Sequence, residues 1–481
     1  MRSQRIHLVG IGGCGMCGLA RVMAVRGHRV TGSDRAGNDS TRRLEEELGV
    51  RIQEGQEPYP VTMEVDRLIH TAAVGADHPE VARALELGIE VETYAQALGR
   101  EFRESDCAIA VSGTHGKTTT SSLVSYLLQS AGVDPSYVIG GDVPQLHGNA
   151  AAGKGPHFVA EACEFGRSFH HLNARIAIVT NIEADHLDYY EDLDEIADSF
   201  AIFASKVDSG GTVLCHYSAT ELLQSRGPYE AQWMTYGSHP DADWSATDIQ
   251  FDGKRTRFVL TVMGEERGLF EMSLAGNHNV ENAVAALGAC NRAGVDLELL
   301  KALLPGFTGV CRRFESILDA PDLTVVNDYA HHPTEVKAVL ATARTVFEGR
   351  RIWCVFQPHQ YSRTRMLLDD FGESFADADR VIIPDIYAAR DTEEERRSVH
   401  SRDLVASILA AGGEAFYIPA FEEVLAWFEE SLQPKDVVLT LGAGNVDGLS
   451  RELVRRHGGV ARLENIERAR SQSGRFEVVA G

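Results

Sequence analysis

The chain has 481 residues and a formal net charge of −24. Such acidity argues against a nucleic-acid partner, because affinity for a phosphate backbone depends on clustered Lys and Arg. The length exceeds what one hydrophobic core usually supports, and no apolar run approaches the roughly 20 residues that span a bilayer. The opening segment lacks a signal-peptide pattern, and eight scattered cysteines suit reduced thiols. We therefore expect a cytoplasmic protein without a membrane partner, either a monomer or a weak homodimer.

A glycine-rich loop follows the first predicted strand, at 6–9, and precedes a helix predicted from about 19 to 26. Its glycines match G-x-G-x-x-G, in which small residues let the backbone approach a pyrophosphate. The second predicted strand, at 28–31, is followed by a carboxylate that can meet a sugar hydroxyl, and the third, at 67–70, ends in small residues. This alternation of strands and helices predicts a parallel, doubly wound sheet. The candidate ligand-binding residues are Gly10, Gly12, Gly13, Gly15, Asp34 and Thr71.

Cys14 and Cys17 form a C-x-x-C pair inside this loop. A helix start could lower a thiol pKa and favour redox chemistry or metal binding. We favour the simpler interpretation, in which both cysteines serve as small residues beside the glycines.

The motif Gly-Thr-His-Gly-Lys-Thr-Thr at 113–119 lies between an apolar strand at 107–111 and a helix predicted at 120–128. A strand that ends in such a loop directs backbone N–H groups and a helix N-terminus at one point, which suits a polyphosphate. Lys117 would reach the β- and γ-phosphates, and Thr118 would offer its hydroxyl to Mg²⁺. Two phosphate-binding regions indicate that two phosphorylated ligands meet. A dehydrogenase would explain the first loop alone.

Two further strands, at 158–160 and 176–179, end in polar residues of the same predicted sheet. Glu161 follows the first strand, and the second leads to His186. Carboxylate oxygens suit nucleotide-bound Mg²⁺, and a neighbouring His can complete a second metal position. The sequence therefore predicts a metal-assisted nucleotide site at this edge.

Motifs along most of the chain resemble those of the Mur ligases: 113–119, 180–186, 276–282, 312–314, 328–335, 356–364 and 442–445, beside the opening glycine loop. The resemblance implies an α/β protein of three domains. These are an N-terminal Rossmann-like domain for a UDP sugar (1–103), a central P-loop ATPase domain with a mainly parallel sheet (104–316), and a C-terminal Rossmann-like domain for an amino acid (317–481). The tail after about residue 455 is expected to be poorly ordered.

The resemblance also implies residue roles. Lys117, Glu161 and His186 would be catalytic, and Thr118, Glu161 and His186 would hold metal. The implied ATP-binding residues are Gly113, Thr114, His115, Gly116, Lys117, Thr118, Thr119, Asn279, Asn282, Arg313 and Asp328. The implied amino-acid site consists of Tyr329, His331, His359 and Arg363, with His332 as a structural neighbour.

The implied reaction joins L-alanine to the lactyl carboxylate of UDP-N-acetylmuramate through an acyl phosphate, with ATP and Mg²⁺, in peptidoglycan precursor synthesis. Cys163 and Arg167 depart from the usual acidic cluster, which leaves a role for Glu164 in doubt. Phe200 stands where several relatives have a carbamylated lysine, and this favours the alanine-adding members. The alternatives are a recycling ligase that adds a tripeptide to the same UDP sugar, a nicotinamide-dependent oxidoreductase and a regulatory nucleotide-binding module.

Overall fold

The computed structural model describes residues 3–55, 59, 61–187, 189–389, 391–458 and 463. The tail expected to be poorly ordered falls mainly outside these residues, so its order stays a prediction. The first region is a parallel sheet of order β3-β2-β1-β4-β5. Its elements are β1 (Arg5–Val9), α1 (Cys14–Val25), β2 (Arg29–Asp34), α2 (Asp39–Leu48), β3 (Arg51–Glu54), β4 (Arg67–His70), α3 (Pro79–Glu86), β5 (Glu90–Thr93) and α4 (Tyr94–Arg103).

The central region is a ten-stranded sheet of order β15-β14-β13-β12-β11-β10-β6-β9-β7-β8. It is parallel from β7 to β13 and antiparallel at both ends. Its elements are β6 (Cys107–Ser112), α5 (Lys117–Ser130), β7 (Ser136–Val143), β8 (Gly148–Ala151), β9 (His157–Glu161), β10 (Ile176–Val179), α6 (Leu193–Ser205), β11 (Thr212–His216), α7 (Tyr217–Gln224), β12 (Gln232–Gly237), β13 (Trp244–Asp252), β14 (Arg255–Val262), β15 (Glu265–Met272), α8 (Asn277–Arg292) and α9 (Leu297–Leu303), with 3₁₀ turns at Pro144–Leu146, Phe165–His171 and Leu304–Gly306.

The C-terminal region is a six-stranded sheet of order β16-β17-β21-β18-β19-β20, antiparallel only between β16 and β17. Its elements are β16 (Glu315–Asp319), β17 (Leu323–Asp328), α10 (Pro333–Val346), β18 (Ile352–Phe356), α11 (Tyr361–Met366), α12 (Leu368–Gly372), β19 (Arg380–Ile383), α13 (Glu393–Arg396), α14 (Ser401–Ala410), β20 (Ala415–Tyr417), α15 (Phe421–Ser431), β21 (Asp436–Leu441) and α16 (Val446–Arg456), with a 3₁₀ turn at Glu373–Phe375. The predicted α/β class with three mainly parallel sheets is confirmed.

The first two regions share one apolar core. Helix α1 packs against β7 and β8, and the ring of Phe102 contacts that of Phe158 edge-on at a centroid distance of 5.7 Å. The C-terminal sheet instead buries apolar clusters on both of its own faces. Its described side-chain contacts with the phosphate-loop edge of the central sheet are polar or charged, including those of His115 with Glu335 and of Asp185 with Arg363. The third region is therefore the least firmly joined.

Two predicted helix starts are wrong. Helix α1 begins at Cys14, five residues before the predicted start, so Gly15 and Gly18 lie inside it. Helix α5 begins at Lys117 rather than at 120, because Gly116 adopts a left-handed conformation (φ 80°) that turns the chain directly into the helix. In both places small or polar residues, whose composition is typical of loops, make the first helical turn.

Candidate functional site

The phosphate loop connects β6 to α5, between the ends of the neighbouring strands β9 and β10. Gly113 has φ 140°, and a Cβ atom there would lie 1.8 Å from Oγ1 of Thr180. The Lys117 ammonium group donates to the carbonyl oxygen of Gly113 and, at 2.9 Å, to that of Thr114. The loop thus folds around its own lysine, with the N-terminus of α5 behind it, and this arrangement suits a polyphosphate.

Glu164, whose role the sequence left in doubt, lies beside two of the predicted catalytic residues. Its buried carboxylate lies 2.9 Å from Nζ of Lys117 and 3.7 Å from Nε2 of His186. Burial would lower the pKa of Lys117, but Glu164 and the other nearby acidic groups raise it overall, so the side chain is a cation. The adjacent departure, Cys163, concealed this signal, because the acidic cluster looked broken there.

A set of hard oxygen donors lies beside the loop. The Thr118 hydroxyl donates to Oε2 of Glu161 at 2.9 Å, and the same carboxylate oxygen accepts from the backbone N–H of Gly140 at 2.8 Å. This pair fits Mg²⁺, which prefers carboxylate and hydroxyl oxygens together with phosphate oxygens. The site lies at the start of α5, where the nucleotide phosphates would arrive.

His186 has a left-handed backbone (φ 55°), and its ring packs 5.0 Å from that of Phe165. Burial lowers its pKa, which keeps the imidazole neutral and able to donate a lone pair to a metal. Its Nδ1 atom is buried without a hydrogen-bond partner. These features suit the predicted second metal position, although Asp188, which ends the motif, lies outside the described residues.

A cavity of about 530 Å³ opens between the central and C-terminal regions next to the loop. Asn282 accepts a hydrogen bond from the Thr120 hydroxyl at 3.1 Å, and Asn279 donates to the Ala275 carbonyl at 2.8 Å, so both amides are fixed. The volume accommodates a nucleoside. Seven of the predicted ATP-binding residues line this cavity: His115, Gly116, Thr119, Asn279, Asn282, Arg313 and Asp328.

The Asp328 side chain, at the end of β17, fixes the backbone on both sides of the junction between the central and C-terminal regions. Its carboxylate accepts from the backbone N–H groups of Phe314, at 2.6 Å, and Ala330, at 2.7 Å. Burial raises its pKa. Arg313 stacks over the Tyr329 ring at 5.2 Å and faces the cavity. Asp328 therefore fixes the junction that carries Arg313.

The predicted amino-acid residues lie together at the start of the C-terminal region. The ring of His331 lies 5.4 Å from that of Tyr329 and 6.2 Å from that of His359. The Arg363 guanidinium, with only 8% of its side chain exposed, lies 3.2 Å from Oδ1 of Asp185. Nδ1 of His359 lies 3.5 Å from Nη1 of the same guanidinium, and a buried cation of this kind suits a small carboxylate ligand.

Two residues that the sequence analysis did not assign complete this end of the site. Tyr387 stacks on His359 with ring centroids 5.6 Å apart. Glu335 accepts from the backbone N–H of His331 at 2.9 Å and lies 3.2 Å from ring nitrogens of both His331 and His115. A Glu three residues into a helix that begins with Pro333 is a capping-box signal, which could have identified its backbone role.

The predicted sugar-binding glycines surround the end of β1. Gly10 has φ 77°, and a Cβ atom there would lie 2.5 Å from Cγ2 of Thr71. The Asp34 carboxylate accepts from the Gly12 N–H at 2.6 Å, so it fixes the loop in this structure, and its contact with a sugar stays a prediction. Gly15 lies in α1 against Tyr94, where a Cβ atom would be 2.6 Å from the phenol oxygen. Gly13 is exposed at the same loop.

Cys17, the second residue of the C-x-x-C pair, does not show the features of a reactive thiol. Burial raises its pKa to about 12, and its thiol donates to the Ile11 carbonyl at 2.8 Å. A protonated thiol is a poor nucleophile and a poor metal ligand, which agrees with the interpretation of Cys17 as a small packing residue. Cys14 is exposed, and its sulfur accepts from the Asn149 amide at 3.1 Å, so its packing role stays a prediction.

The architecture and this edge of the central sheet define a three-domain α/β protein with a mononucleotide loop. Three family models match it: the Mur ligase family, catalytic domain, over 5–105; the Mur ligase middle domain over 111–290; and the Mur ligase, glutamate ligase domain, over 312–444. The chain belongs to the Mur ligase family.

Curated relatives agree over nearly the whole length. The UDP-N-acetylmuramate--L-alanine ligase of Caldanaerobacter subterraneus is 42% identical over 92% of this chain and 95% of its own, and that of Gloeobacter violaceus is 41% identical over 94% and 95%. Among solved structures, a UDP-N-acetylmuramate-alanine ligase from Thermotoga maritima superimposes with a TM-score of 0.80 at 28% identity, covering 95% of this chain and 100% of its own. A murein peptide ligase from Psychrobacter arcticus gives 0.68 at 26% identity, covering 94% and 98%.

Within the described part of the chain, every helix is too short or too polar to span a membrane.

Proposed function

We propose that the protein joins L-alanine to the lactyl carboxylate of UDP-N-acetylmuramate, with cleavage of ATP to ADP and phosphate, as a step of peptidoglycan precursor synthesis. The names of the relatives support this activity. One structural observation carries it further: the adjacent residues Asp185 and His186 connect the two halves of the site. Asp185 contacts Arg363, and His186 lies beside Glu164, the partner of Lys117. An amino acid held at Arg363 would therefore lie near the phosphate loop.

The chemistry requires activation of the carboxylate, which is a poor acyl electrophile at neutral pH. The lactyl carboxylate attacks the γ-phosphate of ATP, the bond between that phosphate and ADP breaks, and ADP leaves. The resulting acyl phosphate has phosphate as its leaving group when the amine attacks. Lys117 balances charge on the transferring phosphoryl group. Mg²⁺, which Thr118, Glu161 and His186 would hold, supplies further charge neutralisation when bound.

The amine of L-alanine must lose a proton as it attacks the acyl phosphate. His186 and His331 are the two candidate bases. Asp34 and the first glycine loop would bind the UDP sugar, and Tyr329, His359 and Arg363 would bind the alanine. We also propose that the enzyme acts in the cytoplasm, as a monomer or weak homodimer.

The recycling ligase is the second candidate, because the Psychrobacter arcticus murein peptide ligase also shares the fold over most of the chain. Phosphate release should be measured with ATP, Mg²⁺ and UDP-N-acetylmuramate while the acceptor is alanine, glycine, serine or the tripeptide. Alanine should give the highest kcat/KM, and omission of either acceptor or UDP sugar should stop turnover. Equal or better turnover with the tripeptide would transfer the assignment to the recycling reaction.

Replacement of Arg363 tests the proposed alanine site. Arg363→Lys keeps the charge but loses the two-pronged guanidinium, so KM for alanine should rise more than tenfold while KM for ATP stays nearly unchanged. Steady-state phosphate release gives both constants. Arg365→Lys, at an exposed position of the same helix, is the matched control and should leave both unchanged. Normal alanine kinetics in Arg363→Lys would remove this residue from the site.

A further inference from the structure

A second group of metal-ligating side chains lies where the central and C-terminal regions meet. His115 belongs to the phosphate loop, Glu183 follows β10, and His332 precedes α10. One ligand atom from each residue, a ring nitrogen or a carboxylate oxygen, lies within 4.8 Å of the other two. These are different residues from Thr118, Glu161 and His186, to which we assign Mg²⁺.

One of the two histidines carries a buried nitrogen atom without a hydrogen-bond partner. This is Nε2 of His332, a residue that is only 5% exposed. Buried polar atoms in proteins are almost always hydrogen-bonded, so this nitrogen requires an explanation. The His115 ring lies beside it, with ring centroids 4.8 Å apart, and Nε2 of His115 faces the Glu183 carboxylate at 3.4 Å. A shared cation would replace the proton between His115 and Glu183 and would give Nε2 of His332 a partner.

We propose that His115, Glu183 and His332 form a binding site for a divalent transition-metal ion of the Zn²⁺ type. Two ligands of a tetrahedral Zn²⁺ ion, each about 2.0–2.2 Å from the metal, lie about 3.3–3.5 Å apart. Nε2 of His115 and Oε2 of Glu183 are already separated by 3.4 Å. His332 completes the set by a small inward movement of its ring. Two imidazoles and one carboxylate favour Zn²⁺ or Co²⁺ over Mg²⁺.

The surroundings already orient these ligands. Oε1 of Glu335 lies 3.2 Å from Nδ1 of His115, the arrangement in which a carboxylate fixes the tautomer and raises the basicity of a ligating imidazole. The Thr334 hydroxyl donates to Glu183 at 2.7 Å. His332 contacts the backbone N–H of Thr334 through Nδ1 at 3.4 Å, which is long enough to be given up without much cost.

An ion bound at this site would connect two regions of the protein. His115 and Glu183 belong to the central region and line the nucleotide cavity, whereas His332 belongs to the C-terminal region. The ion would tie the phosphate loop to the C-terminal region, with its fourth position open to the cavity. Because the nucleotide cavity lies between these regions, an ion that ties them together should slow nucleotide exchange and inhibit turnover.

The experiment is a titration of the full-length protein with Co²⁺ in excess Mg²⁺, followed by visible absorption and calorimetry. One equivalent should give the absorption bands of a tetrahedral nitrogen and oxygen site, and Zn²⁺ should displace it. His332→Asn removes a ligand but retains an N-cap acceptor for α10, so affinity should fall at least tenfold. Glu183→Gln keeps an acceptor for the Thr334 hydroxyl and should also lower the metal affinity at least tenfold. His400→Asn replaces the N-cap histidine of α14, away from the cluster, and should bind like the parent.

Unchanged affinity and spectra in both ligand variants would overturn the proposal. So would binding only at a site with thiolate charge-transfer bands, because those mark cysteine ligands. Circular dichroism establishes that each variant is folded. Two ligand variants are used so that the test remains valid if one of them fails to fold. Metal binding is read without turnover, so its failure is distinguishable from failure of the proposed ligase activity. In the parent, one equivalent of Zn²⁺ should also lower turnover several-fold. The same amount of Zn²⁺ should inhibit the His332→Asn variant less.

Discussion

At the residue scale, Glu164 and Lys117 form a buried ion pair that ATP must disturb. The exposed fractions of their side chains are only 4% and 14%. Glu164 neutralises the lysine while no phosphate is near, and a γ-phosphate would take over that role. The Glu164 carboxylate therefore stabilises the nucleotide-free protein more than the nucleotide-bound protein, and its removal should destabilise the nucleotide-free protein most.

Glu164→Gln should lower the free energy of unfolding of the nucleotide-free protein by up to about 3 kcal/mol, because a buried cation loses its counter-charge. A non-hydrolysable ATP analogue should restore more stability to this variant than to the parent. Urea unfolding with and without the analogue measures both quantities.

The control for this prediction is Glu195→Gln, which breaks the half-exposed pair with Arg167. This change should cost less than about 1 kcal/mol, with or without nucleotide. Equal losses in the two variants would mean that burial of the Lys117 pair has no energetic consequence.

At the scale of elements, the two ends of α5 make a direct comparison of glycines. Gly116 precedes the helix with φ 80°, and Gly132 follows it with φ 78°. A Cβ atom at Gly116 would lie 2.6 Å from Oδ1 of Asn282, whereas one at Gly132 would meet nothing within 4 Å. Substitution at either glycine therefore strains the backbone, but only substitution at Gly116 also creates a steric conflict.

Gly132→Ala should cost about 1–2 kcal/mol of stability through its left-handed backbone alone, with normal kinetics. Gly116→Ala should cost more and raise KM for ATP more than tenfold, because relief of the clash moves Asn282 or the phosphate loop. Thermal unfolding and phosphate release test the pair. An unchanged KM for ATP in Gly116→Ala would separate this loop from the nucleotide.

The elements also show what the sequence can predict. Strand β10 was predicted at 176–179 and is observed there, because four apolar residues between polar ones admit one assignment. The starts of α1 and α5 were missed, because glycine-rich and Thr-rich first turns look like loop. His115 has its partner Glu335 220 residues further along the chain, a pairing that only the meeting of two domains creates. Local pattern cannot reveal such a contact.

At the scale of the whole molecule, the C-terminal region meets the phosphate-loop edge through charges. Burial alone would lower the pKa of His115, but Glu335 and Glu183 raise it to about 9. A pKa above the ordinary value near 6.5 means that the protonated form favours the closed arrangement. This contribution is fully present below about pH 6.5 and is lost as the pH rises through about 9. Domain closure should therefore weaken in mild alkali.

The closed state should lose less than about 3 kcal/mol between pH 6.5 and pH 10, because Glu183 belongs to the same region as His115 and keeps its share of the pKa shift after the regions separate. Small-angle scattering with a chelator present, so that no metal bridges the regions, should show a larger radius of gyration above pH 9. Glu335→Gln removes the main counter-charge that acts across the interface, so its radius should be larger already at pH 7 and change less with pH. Glu348→Gln makes the same charge change at an exposed position and should follow the parent. A parent radius that stays constant to pH 10 would show that packing, rather than the His115 ion pairs, holds the regions together.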